Sequence, residues 1–277
     1  MTKTRKMYKT RAVFFVIIIT AALGLKAQES LYFSPADLRI DSTLNRLFVA
    51  GKTAREVRSY DLNDLSSYQS CFTELPPKAF CIAGEQILVA TSWSEGELLV
   101  LDKNTLKLKS VVGVGHGACD VVVDPNTEKA YTANQFSDDI SVVDLNSLKE
   151  TGRISVLRQP MQIVLSQDVN YLFAANFLTA GRADADTVTS EVSIIDLKTQ
   201  KVIKNIPLAN GSNALRGMSL SADGRLVFIS HNLGRFQVPT TQLEQGWMNT
   251  SALSVIDAEN LEFIATVLLD EPENGAA

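Results

Sequence analysis

Ser141-Val142-Val143-Asp144-Leu145 is the stretch that decides the fold, because the chain repeats it. Close copies are Arg58-Ser59-Tyr60-Asp61-Leu62, Leu99-Val100-Leu101-Asp102-Lys103, Ser193-Ile194-Ile195-Asp196-Leu197 and Ser254-Val255-Ile256-Asp257-Ala258. In each copy bulky residues, mostly β-branched or aliphatic, run into an aspartate. Such residues suit a pleated, buried strand. The aspartate ends the strand, because its short carboxylate accepts hydrogen bonds from the amides just ahead and starts a turn. A second extended segment follows, as where Lys198-Thr199-Gln200-Lys201 leads into Val202-Ile203, and that is a hairpin signature.

Asp61, Asp102, Asp144, Asp196 and Asp257 follow one another at intervals of 41, 42, 52 and 61 residues. A base period of this size, stretched twice by insertions, fits a four-stranded sheet repeated radially: an all-β propeller. Strand one of each repeat is short and apolar: Leu38–Ile40, Cys81–Ala83, Val121–Val123, Ile163–Leu165 and Met218–Leu220. The turn after it is clearest in Ser221-Ala222-Asp223-Gly224, where glycine can supply a positive φ. Strand two mixes large apolar and small residues, as in Tyr171-Leu172-Phe173-Ala174-Ala175-Asn176. The opening motif is strand three. Strand four includes Leu106–Val112, Gly152–Leu157, Val202–Leu208 and Phe263–Leu269. The repeats therefore fall at about 35–76, 77–117, 118–159, 160–209 and 210–270.

The third to fifth repeats resemble the YVTN family of β-propeller repeats. Tyr171–Asn176, Val192–Thr199 and Lys201–Leu208 carry the likeness, and Ser221-Ala222-Asp223-Gly224-Arg225-Leu226 matches that family's Ser-Pro-Asp-Gly hairpin with alanine in place of proline. The resemblance covers about residues 35–270 and is weaker in the first two repeats, where Gly84-Glu85-Gln86 lacks the hairpin consensus. It implies a propeller, commonly seven-bladed and exported, and implies no reaction.

Residues 1–27 read as a secretory signal peptide. Lys3, Arg5, Lys6, Lys9 and Arg11 form a basic head, Ala12–Leu25 is an apolar run, and Ala27 offers a small residue for cleavage. The run is shorter than the roughly 20 residues that span a bilayer, and a retained N-terminal anchor is the rival reading. The expected address is the periplasm, the cell surface or the medium, with no membrane span after cleavage. The net charge of −5 is spread along the chain without a basic stripe, which argues against a nucleic-acid partner. The cysteines number three, Cys71, Cys81 and Cys119, so at least one is unpaired within an exported chain. A Cys71–Cys81 bridge is disfavoured, because Cys71 aligns with an outer strand and Cys81 with an inner one.

Both insertions, Phe177–Ser190 and Leu233–Thr250, join strand two to strand three. In a meander this connection emerges on the same rim as the link from strand four to the next blade. Long loops on a rigid scaffold are where binding usually resides. The second insertion carries Arg235 and Trp247, Trp93 lies in the equivalent loop of the second repeat, and Asn232 stands just before the second insertion. The two histidines, His116 in a glycine-rich link and His231 at the end of a strand two, are expected on this rim, where they could share a metal or simply satisfy local backbone groups. The glycines around His116 precede a strand, so they read as a tight link rather than a dinucleotide loop. Asp184 and Asp186 could contact calcium, although a full calcium loop needs more oxygens. Arg216 and Cys119 occupy equivalent places before strand one, with Asp37, Asp120 and Gln162 one residue further on, so these five are expected around the mouth of the central channel, as a ligand pocket or merely a wet opening.

No catalytic constellation, metal-ligand set or Cys-x-x-Cys-His haem motif is present in the sequence. The leading expectation is an exported binding protein, its partner a protein or a small molecule, using the face that carries both insertions. One alternative is the propeller part of a periplasmic redox protein whose cytochrome-c-like, haem-bearing portion lies beyond Ala277. A weaker one is a metal-dependent hydrolase of lactonase type. Gln28–Ser34 reads as a strand whose mates would lie beyond the fifth repeat. Five repeats then leave two readings, a closed five-bladed ring or an arc of a longer protein with its sixth blade missing, and the second is favoured.

Overall fold

The computed structural model describes residues 32–92, 95–234 and 249–270. The expected signal segment, Trp93, Arg235 and Trp247 lie outside them. The described residues form five four-stranded antiparallel sheets and no helix. Blade one is β1 (Pro35–Asp41), β2 (Arg46–Gly51), β3 (Glu56–Asp61) and β4 (Asp64–Phe72). Blade two is β5 (Pro77–Ala83), β6 (Gln86–Ser92), β7 (Gly96–Asp102) and β8 (Leu108–Val114). Blade three is β9 (Ala118–Asp124), β10 (Lys129–Asn134), β11 (Asp139–Asp144) and β12 (Lys149–Ser155). Blade four is β13 (Pro160–Leu165), β14 (Tyr171–Asn176), β15 (Glu191–Asp196) and β16 (Lys201–Pro207). Blade five is β17 (Ser212–Leu220), β18 (Leu226–Gly234), β19 (Asn249–Asp257) and β20 (Glu262–Leu268). Each is a meander in chain order, so the propeller reading of the repeat is correct.

The aspartate that ends strand three does what its chemistry dictates. Asp102 Oδ1 accepts the Thr105 amide at 2.9 Å, Asp144 Oδ1 the Ser147 amide at 2.6 Å, Asp196 Oδ1 the Thr199 amide at 2.6 Å and Asp257 Oδ1 the Asn260 amide at 2.8 Å. Asp144 and Asp257 are held below their ordinary pKa chiefly by these amides, Asp196 first by the Thr199 hydroxyl, and Asp102 first by the Lys109 ammonium. Gly224 takes a φ of +72°, as the Ser221–Gly224 hairpin requires.

The core lies between blades. Phe48, Val57, Phe80 and Leu101 join blades one and two. Leu88, Leu98, Val121 and Val143 join two and three, and Tyr131, Ile140, Leu172 and Ile195 join three and four. Phe173, Ile194, Leu215 and Ile229 join four and five. Exposed apolar side chains gather on the first and last blades, among them Leu38, Ile40, Tyr68 and Phe72 at one end and Ile264 and Val267 at the other.

Of the expected N-terminal strand, residues 32–34 are described and are not a strand. They turn back on blade one itself. The Lys52 amide donates to the Ser34 carbonyl at 2.9 Å, and the Phe33 ring lies 4.1 Å from the Arg58 guanidinium. That ring fills the space above Gly51, where an added Cβ would come within 2.1 Å of it. Glycine at this place in β2 gives the ring its seat. All three cysteines are free, with Cys71 on β4 and Cys81 on β5, as their alignment required.

Candidate functional site

The mouth of the axis is built by a defect repeated in every inner strand. The pairing of strands one and two slips between Pro35 and Asp37, Pro77 and Ala79, Ala118 and Asp120, Pro160 and Gln162, and Asn213 and Gly217. Such bulges leave a residue unpaired and re-aim its side chain. The residues skipped are Ala36, Lys78, Cys119 and Met161, with Arg216 in the longer slip of blade five. All five line one cavity of about 340 Å3, together with Asp37, Arg39, Lys52, Ala79, Asp120 and Gln162. Residues from all five inner strands therefore meet at one place. The structure brings together Cys119, Arg216, Asp37, Asp120 and Gln162, which sequence alignment had placed around the channel. It adds Arg39, Lys52 and Lys78. Lys78 stands in the register of Cys119 and Arg216, so the signal for it was present but lay in a weak repeat.

In blades one, three and four the residue after the bulge clasps the next blade. Asp37 Oδ2 accepts the Phe80 amide of blade two at 3.0 Å, Asp120 Oδ2 the Ile163 amide of blade four at 2.9 Å, and Gln162 Oε1 the Met218 amide of blade five at 2.6 Å. The other carboxylate oxygens are also engaged. Asp37 Oδ1 accepts the Leu38 amide and Arg39 Nη1, each at 2.8 Å, and Asp120 Oδ1 accepts the Val121 amide at 2.9 Å. In blade two the clasping position is Ala79, which has no acceptor to offer. Burial pushes the Asp120 carboxyl up to about 7, against the pull of its two amide donors, with the nearby Asp37 charge adding to the rise. Cys119 is buried with its thiol 3.2 Å from the Pro160 carbonyl, and burial raises its pKa to about 12. Burial of this kind keeps the thiol protonated and suits it to packing.

The first insertion runs into this mouth. Phe177, its first residue, lies with its ring 5.1 Å from the Arg216 guanidinium. The insertion is pinned to the link between blades four and five: Gly211 N–H donates to the Val188 carbonyl at 2.9 Å, Ser190 N–H to the Ser212 carbonyl at 2.8 Å, and Asn210 Nδ2 to the Asp186 carbonyl at 3.0 Å. Insertion and interblade link thus share one rim. Asp184 is held by Arg182 through contacts of 2.8 and 2.6 Å, so its carboxylate forms a surface ion pair. Among the described residues no group of three or more His, Cys, Asp or Glu side chains is placed to hold a metal ion.

The two histidines occupy different settings. His116 is exposed in the link between blades two and three, its amide donating to Ser137 Oγ at 2.7 Å. The flanking glycines make that link: an added Cβ on Gly115 would strike the Asn134 side chain at 2.5 Å, and Gly117 has a φ of +70°. His231 does not project to the rim. β18 continues to Gly234, so His231 is inside the strand, opposite Ala252, and buried. Asn232 beside it is exposed.

His231 holds a place that asparagine fills elsewhere. From Lys129, Tyr171 and Leu226, the residues paired with the strand-ending aspartates, the same step along strand two reaches Asn134, Asn176 and His231. Asn134 Nδ2 bonds Ser141 Oγ at 2.8 Å, Asn176 Nδ2 bonds Ser193 Oγ at 3.0 Å, and His231 Nε2 lies 2.8 Å from Ser254 Oγ. His231 Nδ1 is 3.0 Å from the Asn232 carbonyl. A carbonyl only accepts, so in the neutral ring Nδ1 carries the proton and Nε2 accepts from the Ser254 hydroxyl. Burial lowers the pKa of His231 below its ordinary value. Its contribution to stability is therefore complete above about pH 6.5 and is lost as pH falls through the lowered folded-state value. His231→Ala is expected to cost about 1–2 kcal/mol. His231→Asn should retain the bond to Ser254 and remove this share of acid sensitivity, both read from urea unfolding at pH 5 and pH 7.5.

Comparisons with known proteins agree on architecture. No family model matches the chain. Antigen Lp49 of Leptospira interrogans is 25% identical over an alignment covering 47% of this chain and 37% of Lp49, so the chain spans little more than a third of that relative. Among solved structures, hydrazine synthase from Kuenenia stuttgartiensis superposes with a TM-score of 0.79 at 18% identity, covering 91% of this chain and 70% of the other. The dihydro-heme d1 dehydrogenase NirN, solved in complex with DHE, superposes with a TM-score of 0.60 at 18% identity, covering 86% of this chain and 48% of NirN. Among the described residues no helix is long and apolar enough to cross a membrane. The chain has the fold of a β-propeller built from four-stranded blades.

Proposed function

We propose that the protein is an exported binding protein that presents the insertion-bearing rim to its partner. The carrying observation is the continuity of insertion, interblade link and axial mouth, joined where Phe177 meets Arg216. The basic head and apolar run at the N-terminus support export. His116 is exposed in the link between blades two and three and Asn232 on β18, and Trp93, Arg235 and Trp247 belong to the strand-two-to-three loops by sequence. His231 acts from inside blade five. The redox alternative rests on a longer chain carrying Cys-x-x-Cys-His, and likeness to NirN at 18% identity bears on the fold alone.

The test exploits the register of β18 and β19, in which Gly234 faces Asn249. Residues 235–248 can be replaced by a two-residue Asn-Gly turn without disturbing that pairing. Chemical cross-linking in intact cells should capture a cell-envelope partner with the natural chain and lose it with the shortened one, while the melting temperature stays the same. Equal capture by both chains would overturn the proposal.

A further inference from the structure

We propose that the axial mouth binds a small dicarboxylate. Part of the charge that lines the cavity is already engaged. Both acids there, Asp37 and Asp120, have both carboxylate oxygens occupied by backbone amides or by Arg39. Arg39 is in turn paired with Asp37 at 2.8 Å. The remaining cations are Lys52, Lys78 and Arg216, and none of them forms an ion pair with a carboxylate among the described residues. Three cations without a carboxylate partner thus line one cavity from blades one, two and five, and with Arg39 paired to Asp37 they outnumber the one remaining acid, Asp120.

The shape favours an organic dianion over a compact inorganic one. About 340 Å3 is at the lower end of the range for small-molecule pockets. Ala36, Ala79 and Met161 give part of the wall an apolar surface suited to a short carbon chain. Arg216, held against the Phe177 ring, offers a planar fork that matches one carboxylate. Lys52 and Lys78 come from other blades and supply charge for the second. A monocarboxylate leaves part of this set unused, and phosphate leaves the apolar wall empty.

The experiment is calorimetric titration of the purified protein with unbranched dicarboxylates from malonate to adipate, with butyrate and inorganic phosphate as comparators. At least one dicarboxylate should bind about tenfold or more tightly than either comparator, and Arg216→Gln and Lys78→Gln should each weaken it about tenfold or more with the melting temperature unchanged. Failure of every dicarboxylate to bind at millimolar concentration would overturn the proposal. So would equal binding of butyrate or phosphate, or unchanged affinity in both variants. Lys52→Gln is the control should either variant fail to fold, since Lys52 is an exposed turn residue, and the same tenfold loss is expected of it. Replacing 235–248 leaves all three cations in place, so loss of partner capture and absence of dicarboxylate binding are separate results.

Discussion

Phe173→Ala is expected to destabilise the protein by about 3–5 kcal/mol, the largest effect of any single side-chain truncation proposed for this chain. Phe173 is fully buried on β14, in the cluster that joins blades four and five. Its ring packs among side chains of both sheets, including Ile194, Leu215 and Ile229. Truncation removes the transfer energy of the ring and leaves a cavity that two hydrogen-bonded sheets cannot collapse to fill. In a repeat architecture each blade is stabilised mainly by its neighbours. The loss should therefore be local at first. Hydrogen exchange should show β17–β20 amides losing protection before those of β5–β8, and urea unfolding should show a lower midpoint. Uniform loss across the chain would mean that the blades unfold as one unit.

Asp120 is expected to give the second largest effect, and one that changes with pH. Its folded-state pKa of about 7 lies above the ordinary 3.8, so the folded protein holds the proton more tightly than the unfolded chain. The sign follows by linkage: the contribution is fully present below about pH 4 and declines as pH rises through about 7. Roughly 3 pH units at about 1.4 kcal/mol each set an upper scale of about 4 kcal/mol. Asp120→Asn keeps an acceptor for the Ile163 amide and cannot ionise. Its advantage in urea midpoint over the natural protein should be larger at pH 8 than at pH 4.5. Gln162 shows that a neutral amide can serve this position, since it clasps the Met218 amide of blade five. Asp120→Ala leaves the Ile163 and Val121 amides without their acceptor and should cost about 1–3 kcal/mol at pH 4.5. The same difference in midpoint between the natural protein and the asparagine variant at pH 4.5 and pH 8 would show that Asp120 titrates near its ordinary value.

The sequence made the blade legible because its two strongest signals are local. A run of Val and Ile ending in aspartate needs only neighbouring amides to become a strand and a turn, and Asp144 and Asp196 do this within three residues. The channel mouth was legible in part, because alignment of strand one puts Cys119 and Arg216 in one register and Asp37, Asp120 and Gln162 in the next. Lys78 was missed although it shares the first of those registers, since blade two departs from the pattern around Gly84. Lys52 was out of reach of that alignment because it enters from the turn after β2. His231 was misplaced for a different reason. Asn232 beside it looks like the asparagine that ends β10 and β14, yet strand pairing puts the imidazole at that station. Residues 32–34 read as a strand by composition, but the seat above Gly51 takes the Phe33 ring instead.

The slipped pairing in every inner strand separates two jobs that are usually entangled. One side chain in each of blades one to four, at Ala36, Lys78, Cys119 and Met161, and Arg216 within the longer slip of blade five, are exempt from ladder pairing, while the successors Asp37, Asp120 and Gln162 tie the sheets together. From blade one to blade four those exempt stations change from alanine to lysine to cysteine to methionine while the sheets around them keep the same one-residue slip. Specificity at the axis can accordingly be rewritten one blade at a time, and swapping the occupants of these stations between blades would retune ligand preference on an unaltered scaffold.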